Sequence, residues 1–425
     1  MAQATTAGGH GAAAGTMMTA EGVPLKVSLR RAERRRRLTA LLLTVPVLVF
    51  ILVTFVVPIA DMALNSVRNP EIATHLPATA AALQDWDGEG VPGEPVFAAL
   101  AKDLTAAAEA RTTGLVGARL NYEISGMRST IQRAARRADQ LEAPFKEAFI
   151  ELDDSWGDPV TWRVIKRESQ PYTASFFLAA LDRTHDDEGN IVRVSPDQEI
   201  YVPLFLRTLW ISLAITALTL LLGFPIAYLM AHLPMRIGNL LMILVLLPFW
   251  TSLLVRTTSW IVLLQQQGVI NDVLVWSGLI DDDGRLTMVH NLNGTIVAMT
   301  HILLPFMVLP LYSVMRTIPP VYMRAARSLG ANQWTAFWRV YVPQTTPGIG
   351  AGGVLVFILA VGYYITPALV GGQSGQMISN YIAYHMQRSL NWGLAAALGT
   401  ILLAGVIVLY YLYNKIIGVD RLKLG

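Results

Sequence analysis

Six stretches of this chain are long and apolar enough to cross a bilayer, and that excludes most folds at once. A transmembrane helix needs roughly 20 mostly apolar residues to span about 30 Å of hydrocarbon. Residues 38–60, 205–232, 239–263, 292–315, 347–370 and 394–416 meet that length, and none of them contains Asp or Glu. The chain as a whole is 53% hydrophobic and 15% charged, outside the soluble range. Hydrocarbon offers no water to satisfy backbone N–H and C=O groups, so spans of this length must be helices. The expected fold class is an all-α membrane protein with six transmembrane helices.

The acidic residues locate a second region. Residues 61–200 hold 23 Asp and Glu against 14 Lys and Arg, leaving 7 of the 30 acidic residues for the rest of the chain. Within them "VFAALAKDLTAAAEA" (96–110), "RLNYEISGMRSTIQRAARRADQ" (119–140), "PFKEAFIEL" (144–152) and "TASFFLAAL" (173–181) carry apolar residues at helical spacing. The turn signals "DGEGVPGEP" and "DDSWGDP" punctuate them. The expected organisation is a basic cytoplasmic tail (1–37), a first span (38–60), an extracytoplasmic helical insertion (61–200) and a five-helix core (201–420). No cysteine is present, so helix packing rather than disulfides must hold the insertion together. It reads either as a docking platform for a soluble partner or as a decoration over the outer ends of the spans. Arg133, Arg136 and Arg137 form one helical face amid excess acid, a solvated face rather than a nucleic-acid site.

Loop charges set the orientation, because Lys and Arg near span ends stay cytoplasmic. Arg30, Arg31 and Arg34 to Arg37 precede the first span, and six crossings return Lys415, Arg421 and Lys423 to the same side. Arg236 and Arg316 fall on cytoplasmic loops, while Asp272, Asp281, Asp282 and Asp283 fall outside. The first run is 23 residues long and lacks a clean small-residue cleavage site, so it reads as an uncleaved anchor. Residues 1–20, rich in Ala, Gly and Thr, read as a tail.

One polar interruption stands apart, "MRAARSLGANQWTAFWRVYVPQ" (323–344). Its Arg324, Arg327 and Arg339 would together cost roughly 8–10 kcal/mol at a bilayer centre. The segment therefore lies at or beyond the cytoplasmic surface. Pro319 and Pro320 open a helix that Gly330 ends, and Asn332 caps a second short helix expected to stop before Pro343. Trp334, Phe337 and Trp338 recur at i, i+3 and i+4, giving this two-helix knuckle one apolar face.

The pattern of small residues, glycine, and an aliphatic pair before proline resembles the EAA loop of ABC importer permease subunits. Ala325, Ala326, Gly330, Val340, Val342 and Pro343 stand at the matching positions. "LPFWTSLLVRTTSWIVLLQQQGVIN" (247–271), "LPFMVLPLYSVM" (304–315), "PGIGAGGVLVFILAVGYYITPALVGG" (347–372) and "RTLWISLAITALTLLLGFPIAYLMAHLP" (207–234) resemble the spermidine/putrescine branch. The resemblance implies a bacterial inner-membrane importer component, with 317–346 as the coupling loop that enters a cleft of a separate ATPase. It further implies two ATPase subunits, a second permease, homologous or identical, and an extracytoplasmic substrate-binding protein. Arg324 stands where the family carries Glu, so an ion pair assigned to that Glu does not transfer. Other solutes carried by the same machinery, such as opines or amino-acid derivatives, stay open, as does a stand-alone secondary transporter or channel.

No lysine follows a glycine, so the chain has no P-loop of its own. No metal or cofactor is expected, the seven histidines are scattered, and neither G-x-S-x-G nor H-E-x-x-H occurs, so the chain does not read as an enzyme. Within the spans, Arg256 is either a snorkelling residue near an outer end or a pathway residue. His301 is either a packing residue or a ligand, and Trp260, Tyr363 and Tyr364 either pack the bundle or stack on a cation. The glycines of "GIGAGG" are expected to permit close helix approach.

Overall fold

Proline and serine turn the third apolar stretch into an elbow. The computed structural model describes residues 25–417, with side chains from 33 to 415. The tail 1–20, the side chains of Arg30 and Arg31, Arg421 and Lys423 lie outside that range. Among the described residues five helices have the length and apolarity of membrane spans: Glu33–Asn65, Tyr201–His232, Leu292–Thr317, Gln333–Gly362 and Trp392–Lys415. The sixth candidate is a bent pair, Met235–Trp250 and Leu253–Trp276, meeting at 99°. The apolar stretch expected as a span over 239–263 is thus sharply bent within its length. Pro248 has no N–H to continue the helix, and Ser252 turns extended, with its Oγ accepting from the Val255 N–H at 3.2 Å to start a new one.

The fifth span also departs from expectation, at both ends. The short helix expected to stop before Pro343 instead runs on as one continuous element, Gln333–Gly362. A π-turn at Phe337–Tyr341 makes this possible, since Pro343 lacks an N–H and its ring would crowd the Arg339 carbonyl in a regular helix. Thr346 Oγ1 donates to the Pro343 carbonyl at 2.8 Å, a carbonyl that Pro347 leaves without a backbone donor. The same device, a π-turn at Leu52–Val56 ahead of Pro58, appears in the first span. At its far end the fifth span breaks after Gly362, and a separate helix, Ile365–Val370, comes next.

The described residues fall into two units, 25–62 and 63–417. In the second unit the fourth span is the centre of the bundle. Met299, Leu303, Met307, Val308 and Leu311 are buried between Ile211 and Ile215 of the second span and Val356 and Ala360 of the fifth. Glycine permits this closeness, because a Cβ on Gly352 would lie 2.8 Å from Met307 Sδ and 3.2 Å from its carbonyl oxygen.

Residues 63–200 build their own core. The rings of Phe97 and Trp162 meet edge to face at 4.6 Å, and those of Phe149 and Trp156 at 5.5 Å. Helices Glu94–Glu109 and Phe145–Leu152 agree with the apolar spacing. The helix expected over 119–140 is interrupted: Thr113–Asn121 ends, Gly126 turns at φ 93°, and Met127–Arg137 begins anew. Helices Pro70–His75, Pro77–Ala82 and Pro159–Glu168, and the hairpin of β1 (Arg183–His185) and β2 (Ile191–Arg193), add to the expected set.

Candidate functional site

The polar knuckle is organised by backbone chemistry. Helix Val321–Ser328 closes at Gly330, whose φ is 91°. The Gly330 N–H donates to the Arg327 carbonyl at 3.0 Å and the Ala331 N–H to the Ala326 carbonyl at 3.1 Å, the paired bonds of a Schellman turn. Asn332 Oδ1 then accepts from the Thr335 N–H at 2.7 Å and starts the next helix. This compact reversal leaves Leu329 89% exposed and Trp334 71% exposed, while Arg324, Ala325 and Pro343 are also open to the surroundings.

The three aromatic residues do not share one outward face. Phe337 turns into the bundle, edge-on to Phe224 at 6.2 Å and to Tyr228 at 5.7 Å, and stacked with Tyr341 at 5.7 Å. Trp334 and Trp338 stay outward and meet each other at 5.8 Å. Val340 and Ala326 are half-buried. The rings still form one cluster, Trp334 on Phe337 at 6.3 Å and Phe337 on Trp338 at 5.5 Å, with Phe337 as its bundle-side member. Leu329, the most exposed apolar side chain of the knuckle, is missing from the sequence-derived set. Its place one residue before a C-capping glycine was the available signal.

A second group lies where the elbow meets the fourth span. Trp260 Nε1 donates to His301 Nδ1 at 3.1 Å, so a neutral His301 carries its proton on Nε2. Arg256 sits one turn into the elbow's second arm, its N–H bonded to the Ser252 carbonyl at 3.1 Å. Its guanidinium lies 6.0 Å from the Phe249 ring and is the charged neighbour of both His301 and Tyr363. Arg256 is half-buried, and its Nε and Nη1 have no hydrogen-bond partner. An unsatisfied buried donor costs about 1–3 kcal/mol, and more when charged. Tyr363 occupies the break after the fifth span, where its carbonyl accepts from Ser379 Oγ at 2.6 Å. Tyr364, 40% exposed, is turned outward.

A third feature, the seam between the polar region and the bundle, left no clear trace in the sequence. The Asp182 carboxylate accepts from the backbone N–H groups of Ile200, Tyr201 and Val202 at 3.1, 3.0 and 2.7 Å, capping the second span. Phe176 packs on Gly393 and Leu394 at the start of the sixth span and lies 4.8 Å from the guanidinium of Arg119. Arg119 pairs with Glu168 and donates to Asn69 Oδ1 at 2.7 Å, so Phe176 joins the buried network of one region to a span of the other. His385 bridges Tyr201 Oη at 2.9 Å and Ser389 Oγ at 2.8 Å. Burial pushes its pKa below the ordinary histidine value.

The sequence of the bundle resembles known proteins. The family model for the binding-protein-dependent transport system inner membrane component matches residues 203–418, and residues 63–200 lie outside that match. The spermidine/putrescine transport system permease protein PotB of Haemophilus influenzae is 36% identical over 225 residues, covering 51% of this chain and 78% of that protein. PotB of Escherichia coli K12 is 35% identical over 214 residues, covering 50% and 77%. The inner membrane ABC transporter permease protein YdcU of Escherichia coli K12 is 33% identical over 226 residues, covering 51% and 71%. Among solved structures, a bacterial ABC transporter involved in alginate import superposes with a TM-score of 0.41 at 20% identity, covering 54% of this chain and 86% of that one. The matched segment holds all of the bundle from the second span onward, and the chain belongs to the family of binding-protein-dependent transport system inner membrane components.

Proposed function

We propose that this chain is one permease subunit of an ATP-driven importer for polyamines such as spermidine and putrescine. Family membership and the names of relatives that share about three-quarters of their length with this chain support the reading. The observation that carries the coupling half of it is the Schellman-closed helix Val321–Ser328, with Leu329, Trp334 and Trp338 exposed beside it. Large apolar side chains on a rigid turn are what a cleft in a partner can grip. The partner in this reading is a pair of ATPase subunits, with Arg324, Ala325, Ala326, Gly330, Trp334, Val340 and Pro343 presenting the docking element. Phe337 acts instead as the element's anchor to the bundle.

In this reading the knuckle end faces the cytoplasm with both termini, and residues 63–200 face outward, towards a substrate-binding protein. The basic residues Arg316, Arg324, Arg327 and Arg339 at one end and the acidic Asp272, Asp281, Asp282 and Asp283 at the other support that orientation. A second permease completes the pathway, along which Arg256, Trp260, His301 and Tyr363 are the polar positions of this half. ATP binding and hydrolysis then move the ATPases, the knuckle moves with them, and the bundle opens to alternate sides.

The absence of cysteine makes the test direct. Leu329→Cys should crosslink to a cysteine in the ATPase cleft when the whole importer is assembled in membrane vesicles, with ATP altering the yield. An intact complex showing ATP-driven spermidine uptake but no crosslink from residues 329 or 334 would remove the coupling assignment.

A further inference from the structure

Among the described residues, Arg256 is the span cation with buried nitrogens that have no hydrogen-bond partner. Arg256 Nε and Nη1 lack partners, and no Asp or Glu occurs in any of the six apolar stretches. Neither Trp260 nor a His301 protonated on Nε2 offers the guanidinium an acceptor. Trp260 spends its N–H on His301 Nδ1, which leaves His301 Nε2–H as a donor. The missing complement is an anionic oxygen group, and the planar fork of an arginine matches a carboxylate.

We propose that Arg256, with His301 beside it, is a carboxylate-binding position within the membrane bundle. The proposal rests on the importer reading and extends it beyond polyamines, which carry no carboxylate, to solutes that bear both an ammonium and a carboxylate. A solute bearing both groups suits the site: its carboxylate meets Arg256, and its ammonium meets the aromatic faces of Trp260 and Tyr363. An acidic side chain of the second permease is the other source of the same chemistry. The elbow explains why the position exists. The break at Thr251 and Ser252 starts a new helix within the apolar stretch, and the positive end of that helix adds to the attraction for an anion.

Putrescine and ornithine differ by one carboxylate, so they make the discriminating pair. The assembled importer, with its ATPases, second permease and binding protein in liposomes, would be assayed for uptake of each, with wild-type, Arg256→Gln and Arg256→Lys chains. Thermal unfolding and subunit co-purification would be measured in parallel. The expected result is that Arg256→Gln lowers ornithine uptake roughly tenfold or more while sparing putrescine, and Arg256→Lys retains part of it. The Gln variant should also melt no lower than wild type, because it removes an unpaired buried charge. Equal loss of both solutes together with weakened co-purification of the second permease assigns the carboxylate to that subunit and upholds the site. Unchanged uptake of both, or a lower melting temperature with subunits still assembled, overturns the proposal and leaves the importer reading intact. Absence of any ATP-dependent uptake by the wild-type complex would overturn the importer reading, and this proposal with it.

Discussion

Phe176 occupies the space that a side chain on Gly393 would need. A Cβ built on Gly393 would lie under 3.0 Å from three atoms of the Phe176 ring. Phe176 belongs to helix Ser175–Ala180 and Gly393 to the second position of the sixth span, so this contact joins the polar region to the bundle. Gly393→Ala should push the ring away from the span, and Phe176→Ala should cost about 3 kcal/mol by leaving a hole in the same place. Limited proteolysis of the purified chain should then cleave between residues 180 and 200 faster in both variants than in wild type.

Asp182 makes the second tie of that seam, through three backbone N–H groups of the second span. Asp182→Ala leaves those donors without their acceptor and should cost about 1–2 kcal/mol, the scale of a lost helix cap. Hydrogen exchange at Ile200, Tyr201 and Val202 should accelerate, with exchange in the fourth span unchanged.

Gly330 should be intolerant of β-branched side chains for conformational rather than steric reasons. Nothing lies within 4 Å of a Cβ there, yet φ is 91°. A left-handed backbone costs an L-residue about 1–2 kcal/mol. Gly330→Val should therefore unwind the Schellman turn and sever ATP hydrolysis from uptake, while circular dichroism reports the same helix content. ATP-dependent uptake equal to wild type in vesicles would refute the coupling role.

Acid should loosen the seam. Burial lowers the pKa of His385, and burial together with the Arg167 charge lowers that of His185. A depressed histidine pKa means that the folded chain binds fewer protons than the unfolded chain. Its stabilising share is complete above the unfolded value of about 6.5 and drains away as pH falls through that value. The melting temperature in detergent should accordingly drop between pH 7.5 and 5.5, and the double variant His185→Gln with His385→Gln should flatten that drop.

The bundle was largely legible because membrane physics acts on local composition. A run of about 20 apolar residues without a carboxylate has few alternatives to a spanning helix. Gly330 and Asn332 were legible for the same local reason, since each serves the backbone within five residues of itself. Where composition misled, a proline decided the outcome. Pro248 helped to break a span that apolarity made continuous, whereas Pro343 failed to break one, because a π-turn absorbed it. Nothing in the residue type says which will happen; the packing of Phe337 and Tyr341 on Tyr228 does. Helix Pro159–Glu168 escapes the apolar-spacing criterion although Asp158 is a good cap, its carboxylate accepting from the Val160 N–H at 2.9 Å. By composition the preceding "DDSWGDP" signals only a turn.

The sequence by itself determined the class of fold, the number of apolar stretches, the acidic region between the first two and the chemistry of the knuckle's turn. All of these depend on neighbours along the chain or on transfer into hydrocarbon, which is a sum over residues. Tertiary structure alone decided that Trp260 meets His301 across 41 positions, that two nitrogens of Arg256 are buried without a hydrogen-bond partner, and that Phe176 reaches Gly393 from 217 positions away. Such contacts depend on how helices rotate and cross, and on where small residues let them approach, which no local window of sequence contains.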